Sequence, residues 1–146
     1  MELGNHEEAN EELELIDAPL RAHPDVLEVR WLIHQKVENW ELCENIASAL
    51  VKLVPERTTG WIHRSFALHE MKRTQEAYDE LKPALDTFKK EQLVWYNMAC
   101  YACVLGNKDE AHGLLSKAIE LGGDAVKTQA LNDPDLQGVW VSEGEE

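Results

Sequence analysis

The sequence predicts an all-α fold, an α-solenoid of about three stacked helical hairpins with a capping helix at each end. The first observation is a spacing of 34 residues at which large and small side chains recur in register. The recurring pairs are Trp61 and Trp95, Ser65 and Ala99, Ala77 and Ala111, Leu81 and Leu115, and Ala84 and Ala118. The second observation is that apolar residues within each period follow helical spacing. A fixed period of this length is typical of helical hairpins that bury their apolar faces against their neighbours.

Composition indicates one domain over residues 1–146 and excludes several functions. The chain is 44% apolar, which is enough for a continuous core, and 28 acidic against 14 basic residues give it a formal charge of −14. It has no basic stripe for nucleic acid and no polybasic cluster for an anionic membrane. No apolar run reaches the ~18 residues that a membrane span needs. The N-terminus lacks the features of a signal peptide, so we expect a cytoplasmic protein with no nucleic-acid or membrane partner.

Six segments follow in order along the chain. They are an N-terminal capping helix over 6–22, a degenerate first hairpin over 24–56, a second over 57–90, a third over 91–123, a C-terminal cap over 124–141 and a loose tail over 142–146. One face of the capping helix carries apolar side chains at helical spacing, namely Ala9, Leu13, Ile16 and Leu20. Pro24 then suits the first turn of the next helix, because its missing N–H has no partner there in any case.

Single residues set the ends of the hairpin helices. Asn39 and Thr74 are placed to cap the second helices of the first and second hairpins. Gly106 ends a helix of the third hairpin because glycine adopts a positive φ without strain, and Asn107 is placed to cap the helix that follows. Pro83 lies where a helix interior is expected, so we predict a kink there and not a break.

Small residues stand where the two helices of a hairpin are expected to cross, with Ser65 opposite Ala77 and Ala99 opposite Ala111. Larger side chains would push the helices apart, so these pairs fix the distance between the helices. In the first hairpin Trp31 occupies this place. We therefore expect the first hairpin to splay or to shift its register.

The C-terminal cap departs from the period. Asp133 and Pro134 predict an N-cap followed by a first-turn proline, and Leu136, Val139 and Trp140 form a short apolar tail. The last repeat of a stack has one open apolar face, which a tail of this size can cover.

These residues resemble the tetratricopeptide repeat (TPR), with its Trp, a small residue four positions on, a Gly before the turn and two Ala on the second helix. The third hairpin carries the whole pattern as Trp95, Ala99, Gly106, Ala111 and Ala118. The second hairpin has Lys72, and the first has Glu38, where the glycine belongs. Residues 96–101 and 132–136 are also similar to bacterial proteins in which such repeats end a short array. The resemblance implies a right-handed α-solenoid and no biochemical activity, so we expect an interaction scaffold and not an enzyme.

In the TPR family the first helices of the hairpins line a concave groove that binds peptides. Carried over to this chain, the resemblance implies a partner-binding groove formed by Val29, Leu32, Ile62, His63, Phe66, His69, Tyr96, Asn97 and Cys100. We expect its apolar members, Phe66 and Tyr96 among them, to be exposed when no partner is bound, because an open apolar patch is typical of a binding surface. The expected partner is a protein or peptide segment with apolar anchors, and the acidic surface favours a basic one.

Three alternatives stay open. One is a thiol- or metal-dependent sensor, although Cys100 and Cys103 lie in the second half of a helix, where the helix dipole opposes a thiolate. The six histidines show no metal-ligand spacing, so we predict no catalytic residue, metal or cofactor. Another is a chaperone of secreted translocator proteins, because type III secretion chaperones are similar in size, acidity and repeat number. The third is self-association, and we expect a monomer or a weak homodimer.

Overall fold

A computed structural model of the chain describes residues 23–140. Its contacts divide the chain into two compact units, Met1–Lys72 and Arg73–Glu146. The capping helix expected over 6–22 and the tail expected over 142–146 lie outside the described residues. Within residues 23–140 every regular element is helical, as the sequence predicts.

The first unit contains three helices in its described part: α1 (Pro24–Lys36), α2 (Trp40–Leu53) and α3 (Thr58–Glu70). Helix α2 packs against both α1 and α3. The buried core is formed by Leu27, Trp31, Cys43, Ile46, Ala47, Leu50 and Ala67. Gly60 lets α3 approach α2 closely, because a Cβ at this position would lie 3.0 Å from the Leu50 Cβ atom.

The second unit is built around two long antiparallel helices. Its elements are α4 (Thr74–Leu81), α5 (Ala84–Thr87), α6 (Gln92–Val104), α7 (Lys108–Gly122), α8 (Asp124–Leu131), a 3-10 turn (Pro134–Leu136) and α9 (Gln137–Trp140). Helix α6 packs against α7, α4 and the 3-10 turn, and α8 and α9 pack against α7. Ala99 and Ala111 are fully buried, as expected for small residues where two packed helices cross.

The 34-residue spacing recurs in the backbone itself. The first helices begin at Pro24, Thr58 and Gln92, and the second helices begin at Trp40, Thr74 and Lys108. The turns between them contain a left-handed residue at the same spacing, with φ of 58° at Glu38, 65° at Lys72 and 91° at Gly106. The sequence predicts this conformation at the glycine, and the structure shows that the two non-glycine residues adopt it as well.

The repeated tryptophans make the same hydrogen bond in each unit. The indole N–H of Trp61 donates to the Pro55 carbonyl oxygen at 3.0 Å, and that of Trp95 donates to the Lys89 carbonyl oxygen at 2.9 Å. Both acceptors lie six residues upstream of the tryptophan. The indole therefore satisfies a carbonyl in the loop before its helix and ties that loop to the helix.

Pro83 interrupts the helix that was expected to continue through it. Helix α4 ends at Leu81 and α5 begins at Ala84, while Lys82 and Pro83 keep right-handed helical dihedral angles. Proline has no N–H to donate, and the bonds that follow it run over three residues, from the Leu85 N–H to Lys82 and from the Asp86 N–H to Pro83. The chain therefore keeps helical dihedral angles through Lys82 and Pro83, but the regular helix is divided in two at this point.

Two of the predicted helix caps differ in the structure. The Asn39 side chain accepts from the Leu42 N–H at 3.4 Å, as predicted. Thr74 is the first residue of α4 and not its cap, which is Arg73. Asn107 occupies the cap position of α7, but its side chain makes no capping bond.

Trp31 is accommodated in the first unit by the direction of its side chain. Its indole stacks on the imidazole of His63 in α3, with ring centroids 3.8 Å apart and 8° between the ring planes. On the α2 side, the Cys43 thiol donates to the Trp31 carbonyl oxygen, with 3.7 Å between sulfur and oxygen. A small residue of α2 thus contacts the α1 backbone, while the large side chain is buried against α3.

Candidate functional site

An aromatic cluster joins α1, α2 and α3 in the first unit. Besides its stack on His63, Trp31 meets Phe66 edge to face at 6.2 Å, and Phe66 meets Trp40 in the same way at 5.5 Å. Edge-to-face geometry is the arrangement that aromatic quadrupoles prefer. Phe66 therefore packs within this cluster and is half-buried. The sequence predicts that Phe66 is exposed, and the structure shows that it is exposed only in part.

Helix α1 also carries two exposed apolar side chains. Val29 is 49% exposed and Leu32 is 50% exposed. Leu32 follows Glu28 by one helical turn, and the Glu28 carboxylate lies close enough to His63 of α3 to affect its protonation. We call Val29, Leu32, His63 and Phe66 the α1–α3 face. Of the other expected groove residues in this unit, Ile62 and His69 are half-buried on α3.

Acidic groups border the α1–α3 face and are held by an arginine. The Arg57 guanidinium donates to Asp25 at 2.9 Å and to Glu28 at 2.8 Å. Burial lowers the pKa of His63, and the nearby Glu28 carboxylate partly opposes this effect. The His63 ring is thus disposed to be neutral and to stack, while negative charge lies at the edge of the face.

In the second unit the expected groove residues Tyr96 and Cys100 are buried. Each is 5% exposed, because residues 132–136 lie against this side of α6. The Tyr96 hydroxyl donates to Asp133 Oδ2 at 2.6 Å. The prediction that Tyr96 is exposed without a partner is therefore wrong, and the reason is an intramolecular contact over 37 residues. Asn97 is half-buried on the same helix.

Sequence reasoning missed the contacts of Trp31 and Asp133. For Trp31 the available signal was its size, because a tryptophan at a position for a small residue must point away from the helix crossing. For Asp133 the signal was the shared similarity of residues 96–101 and 132–136 to one group of proteins. The predicted N-cap is present: Asp133 Oδ1 accepts from the Asp135 N–H at 3.0 Å, with Pro134 in the first turn.

Cys100, Asp133 and Asp135 bring three ligand-type atoms within 4.8 Å of one another. The hydrogen bonds in this group account for their convergence. Asp133 accepts from Tyr96, from the Asp135 N–H and from the Cys100 thiol, the last with 3.8 Å between sulfur and oxygen. Burial, and then the two carboxylates, raise the pKa of Cys100 and favour the protonated thiol over the thiolate that binds metals.

The three cysteines are free thiols. Cys100 and Cys103 lie in the second half of α6, as the sequence predicts. Burial raises the pKa of Cys43 to about 11, so this thiol is protonated at neutral pH. These environments oppose thiolate chemistry at Cys43 and Cys100.

The fold defines the class of protein. Repeated helical hairpins with left-handed turns at a 34-residue spacing form an all-α, TPR-like fold. Among the described residues no helix is both long and apolar enough to cross a membrane. No protein-family model matches the chain, and no curated protein sequence matches it.

Three similar solved structures are of MamA, a TPR-repeat protein. MamA MSR-1 C2 is 26% identical, with a TM-score of 0.69, over 84% of this chain and 70% of that chain. A MamA point mutant is 27% identical, with a TM-score of 0.65, over 79% of this chain and 67% of that one. A MamA RS-1 double mutant, 14% identical over 87% and 69% of the two chains, has a TM-score of 0.72 and shares the fold. These similarities support a protein-interaction scaffold in general.

Proposed function

We propose that the protein is a non-catalytic scaffold that binds a segment of another protein on the α1–α3 face. The observation that carries the proposal is the exposure of Val29 and Leu32 on α1, the helix whose Trp31 stacks on His63 of α3. Two large apolar side chains on one helix, half exposed on a chain with a charge of −14, form a patch that a partner can cover. The TPR-like fold supports an interaction role.

The physical features of this face define the kind of partner. The stacked Trp31 and His63 and the packed Phe66 form a rigid base, and rigid aromatic groups lose little entropy when a ligand is bound. Val29 and Leu32 provide apolar area that is removed from water on binding. A helical or extended segment with aliphatic or aromatic anchors suits such a surface.

The charge of the chain favours a basic segment. Asp25 and Glu28 lie at the edge of the α1–α3 face, where Arg57 neutralises part of their charge. The net charge of −14 attracts cationic partners over a longer distance. Rim charges of this kind raise the association rate and orient the partner more than they add affinity. We therefore expect partner capture to weaken as salt concentration increases.

A matched pair of substitutions tests this function. Leu32→Ser removes an apolar side chain from the α1–α3 face, and Leu53→Ser removes one of equal exposure, 51%, from the end of α2. Both residues are exposed, so both variants should keep their melting temperature within about 2 °C. The immobilised Leu32→Ser chain should capture its partner from the native cell with an affinity about 5- to 100-fold weaker, and Leu53→Ser should bind as the wild type does.

The comparison between the variants decides the outcome. Equal capture by the wild-type, Leu32→Ser and Leu53→Ser chains would exclude the α1–α3 face as the binding surface. Val29→Ser provides a second, independent variant on the same helix. Loss of binding in all three variants together would indicate a general surface effect and would also contradict the proposal.

A further inference from the structure

The C-terminal segment of residues 132–140 covers one face of α6. Tyr96, Cys100 and Cys103 follow one another at intervals of four and three residues, so they share that face. Asp133 accepts hydrogen bonds from Tyr96 and Cys100. Farther along the segment, Gly138 lies so close that an added Cβ would be 3.3 Å from the Cys103 sulfur. The segment therefore follows α6 along the side that the TPR resemblance assigns to a groove.

The segment is ordered by bonds within itself and to the end of α8. Asp133 caps the 3-10 turn, and the Gln137 side-chain amide donates to the carbonyl oxygens of Asp133 and Leu131. The Trp140 indole N–H donates to the Ala130 carbonyl oxygen at 3.2 Å. A segment whose polar groups are satisfied locally can separate from a neighbouring helix without exposing unpaired backbone groups.

This segment contacts the rest of the second unit at several points, and α9 packs against α7. Among these contacts are the Asp133 carboxylate, which accepts from the Tyr96 hydroxyl and the Cys100 thiol, and Leu136, which is fully buried. Pro134 and Gln137, on either side of Leu136, are exposed, and α9 comprises a single turn. A segment made of a three-residue 3-10 turn and a four-residue helix contains few backbone hydrogen bonds of its own, which places it at the low-stability end of a folded domain.

We propose that residues 132–140 form a latch that closes the Tyr96–Cys100 face of α6 and opens locally while α6 and α7 stay folded. The consequence of opening rests on the proposed function, because an open latch would expose this face of α6 to a protein partner. The competing ligand is defined by what the latch presents. It is a segment with a carboxylate that accepts from Tyr96 and a leucine three residues farther on.

Thiol labelling of Cys100 in the full-length chain measures latch opening without any partner. A maleimide reagent is applied under native conditions across a series of low urea concentrations, and the labelled site is identified by mass spectrometry. Amide hydrogen exchange at Leu115, buried in α7 of the same unit, reports unfolding of the whole unit. A local opening exposes little surface, so its rate depends weakly on urea, whereas unfolding of the unit depends on it strongly.

Two tyrosines with the same bond to a carboxylate provide the variant and its control. Tyr96→Phe removes the hydroxyl that holds Asp133, and Tyr78→Phe removes one that donates to Glu110, also at 2.6 Å, away from the latch. Tyr96→Phe should accelerate Cys100 labelling at least about tenfold, since the lost bond involves a carboxylate, and Tyr78→Phe should leave it unchanged. Gly138→Val, which crowds Cys103, should accelerate labelling in the same way.

The wild-type chain alone is sufficient to overturn the proposal. If Cys100 labelling and Leu115 exchange show the same steep dependence on urea, the segment opens only when the unit unfolds, and no latch exists. This result would leave the partner-binding role of the α1–α3 face untouched, because the assay contains no partner. If Tyr96→Phe prevents folding, Gly138→Val and the wild-type urea series still decide between local and global opening.

Discussion

Alanine at Gly106 and at Gly113 is expected to change stability in opposite directions. An alanine Cβ would meet no atom within 4 Å at either position, so neither substitution adds a clash or a contact. Gly106 has φ of 91° in the turn before α7, whereas Gly113 lies inside α7. The backbone conformation alone therefore sets the sign of the effect.

The magnitudes follow from the two conformations. At Gly106 the left-handed conformation costs an L-residue about 1–2 kcal/mol, and alanine recovers about 0.4–1 kcal/mol by restricting the unfolded chain. The net loss of unfolding free energy at Gly106 is thus roughly 0.5–1 kcal/mol. Inside a helix alanine is favoured over glycine by about 0.8–1.0 kcal/mol, so Gly113→Ala should raise the unfolding free energy by about that amount.

The other turns of the period allow the reverse test. Lys72 adopts φ of 65° without being glycine, so Lys72→Gly should stabilise the protein by roughly 0.5–1 kcal/mol. Lys127→Gly is the matched control, because this exposed lysine lies inside α8, where glycine costs about 0.5–1 kcal/mol. Replacing lysine by glycine should therefore raise the unfolding free energy at position 72 and lower it at position 127.

Urea unfolding followed by far-ultraviolet circular dichroism measures all four variants, with the slope of the transition checked for constancy. The expected order of unfolding free energies places Gly113→Ala and Lys72→Gly above the wild type, and Gly106→Ala and Lys127→Gly below it. If Gly106→Ala is as stabilising as Gly113→Ala, the turn before α7 is not left-handed. The left-handed turn residues would then not recur at the 34-residue spacing.

Two further predictions concern packing and pH. Ala99→Leu and Ala111→Leu should each lower the unfolding free energy by about 1–3 kcal/mol through overpacking between α6 and α7, whereas Ser116→Leu on the exposed side of α7 should change it by under about 0.5 kcal/mol. Equal effects at all three positions in urea unfolding would contradict the packing of these helices. Because burial lowers the pKa of folded His63, the unfolded chain binds the proton first, so stability should fall as pH decreases from above the ordinary value of 6.5 towards the folded value. His63→Gln should remove this pH-dependent contribution to the unfolding free energy between pH 8 and 5. If the wild-type and variant chains show the same dependence of stability on pH, His63 does not make this contribution.

Much of the fold could be predicted from the sequence because it depends on local patterns. The 34-residue spacing of Trp61 and Trp95 anticipates first helices that begin at Thr58 and Gln92. Gly106 anticipates the left-handed turn before α7, since glycine adopts positive φ at least cost. Helical spacing of apolar residues also indicates which side of a helix is buried, because burial removes apolar area from water.

Tertiary structure alone decided which neighbour covers each buried side. The sequence places Trp31 at a helix crossing, but its indole lies on His63 of α3, because the space beside α2 accommodates only a small group. Tyr96 has the same place in its repeat as a groove residue, yet it is buried by Asp133, which lies 37 residues away. Local spacing determines that a face is apolar and where its helix begins and ends. The identity of the covering group depends on contacts between distant segments, which form only when the helices pack.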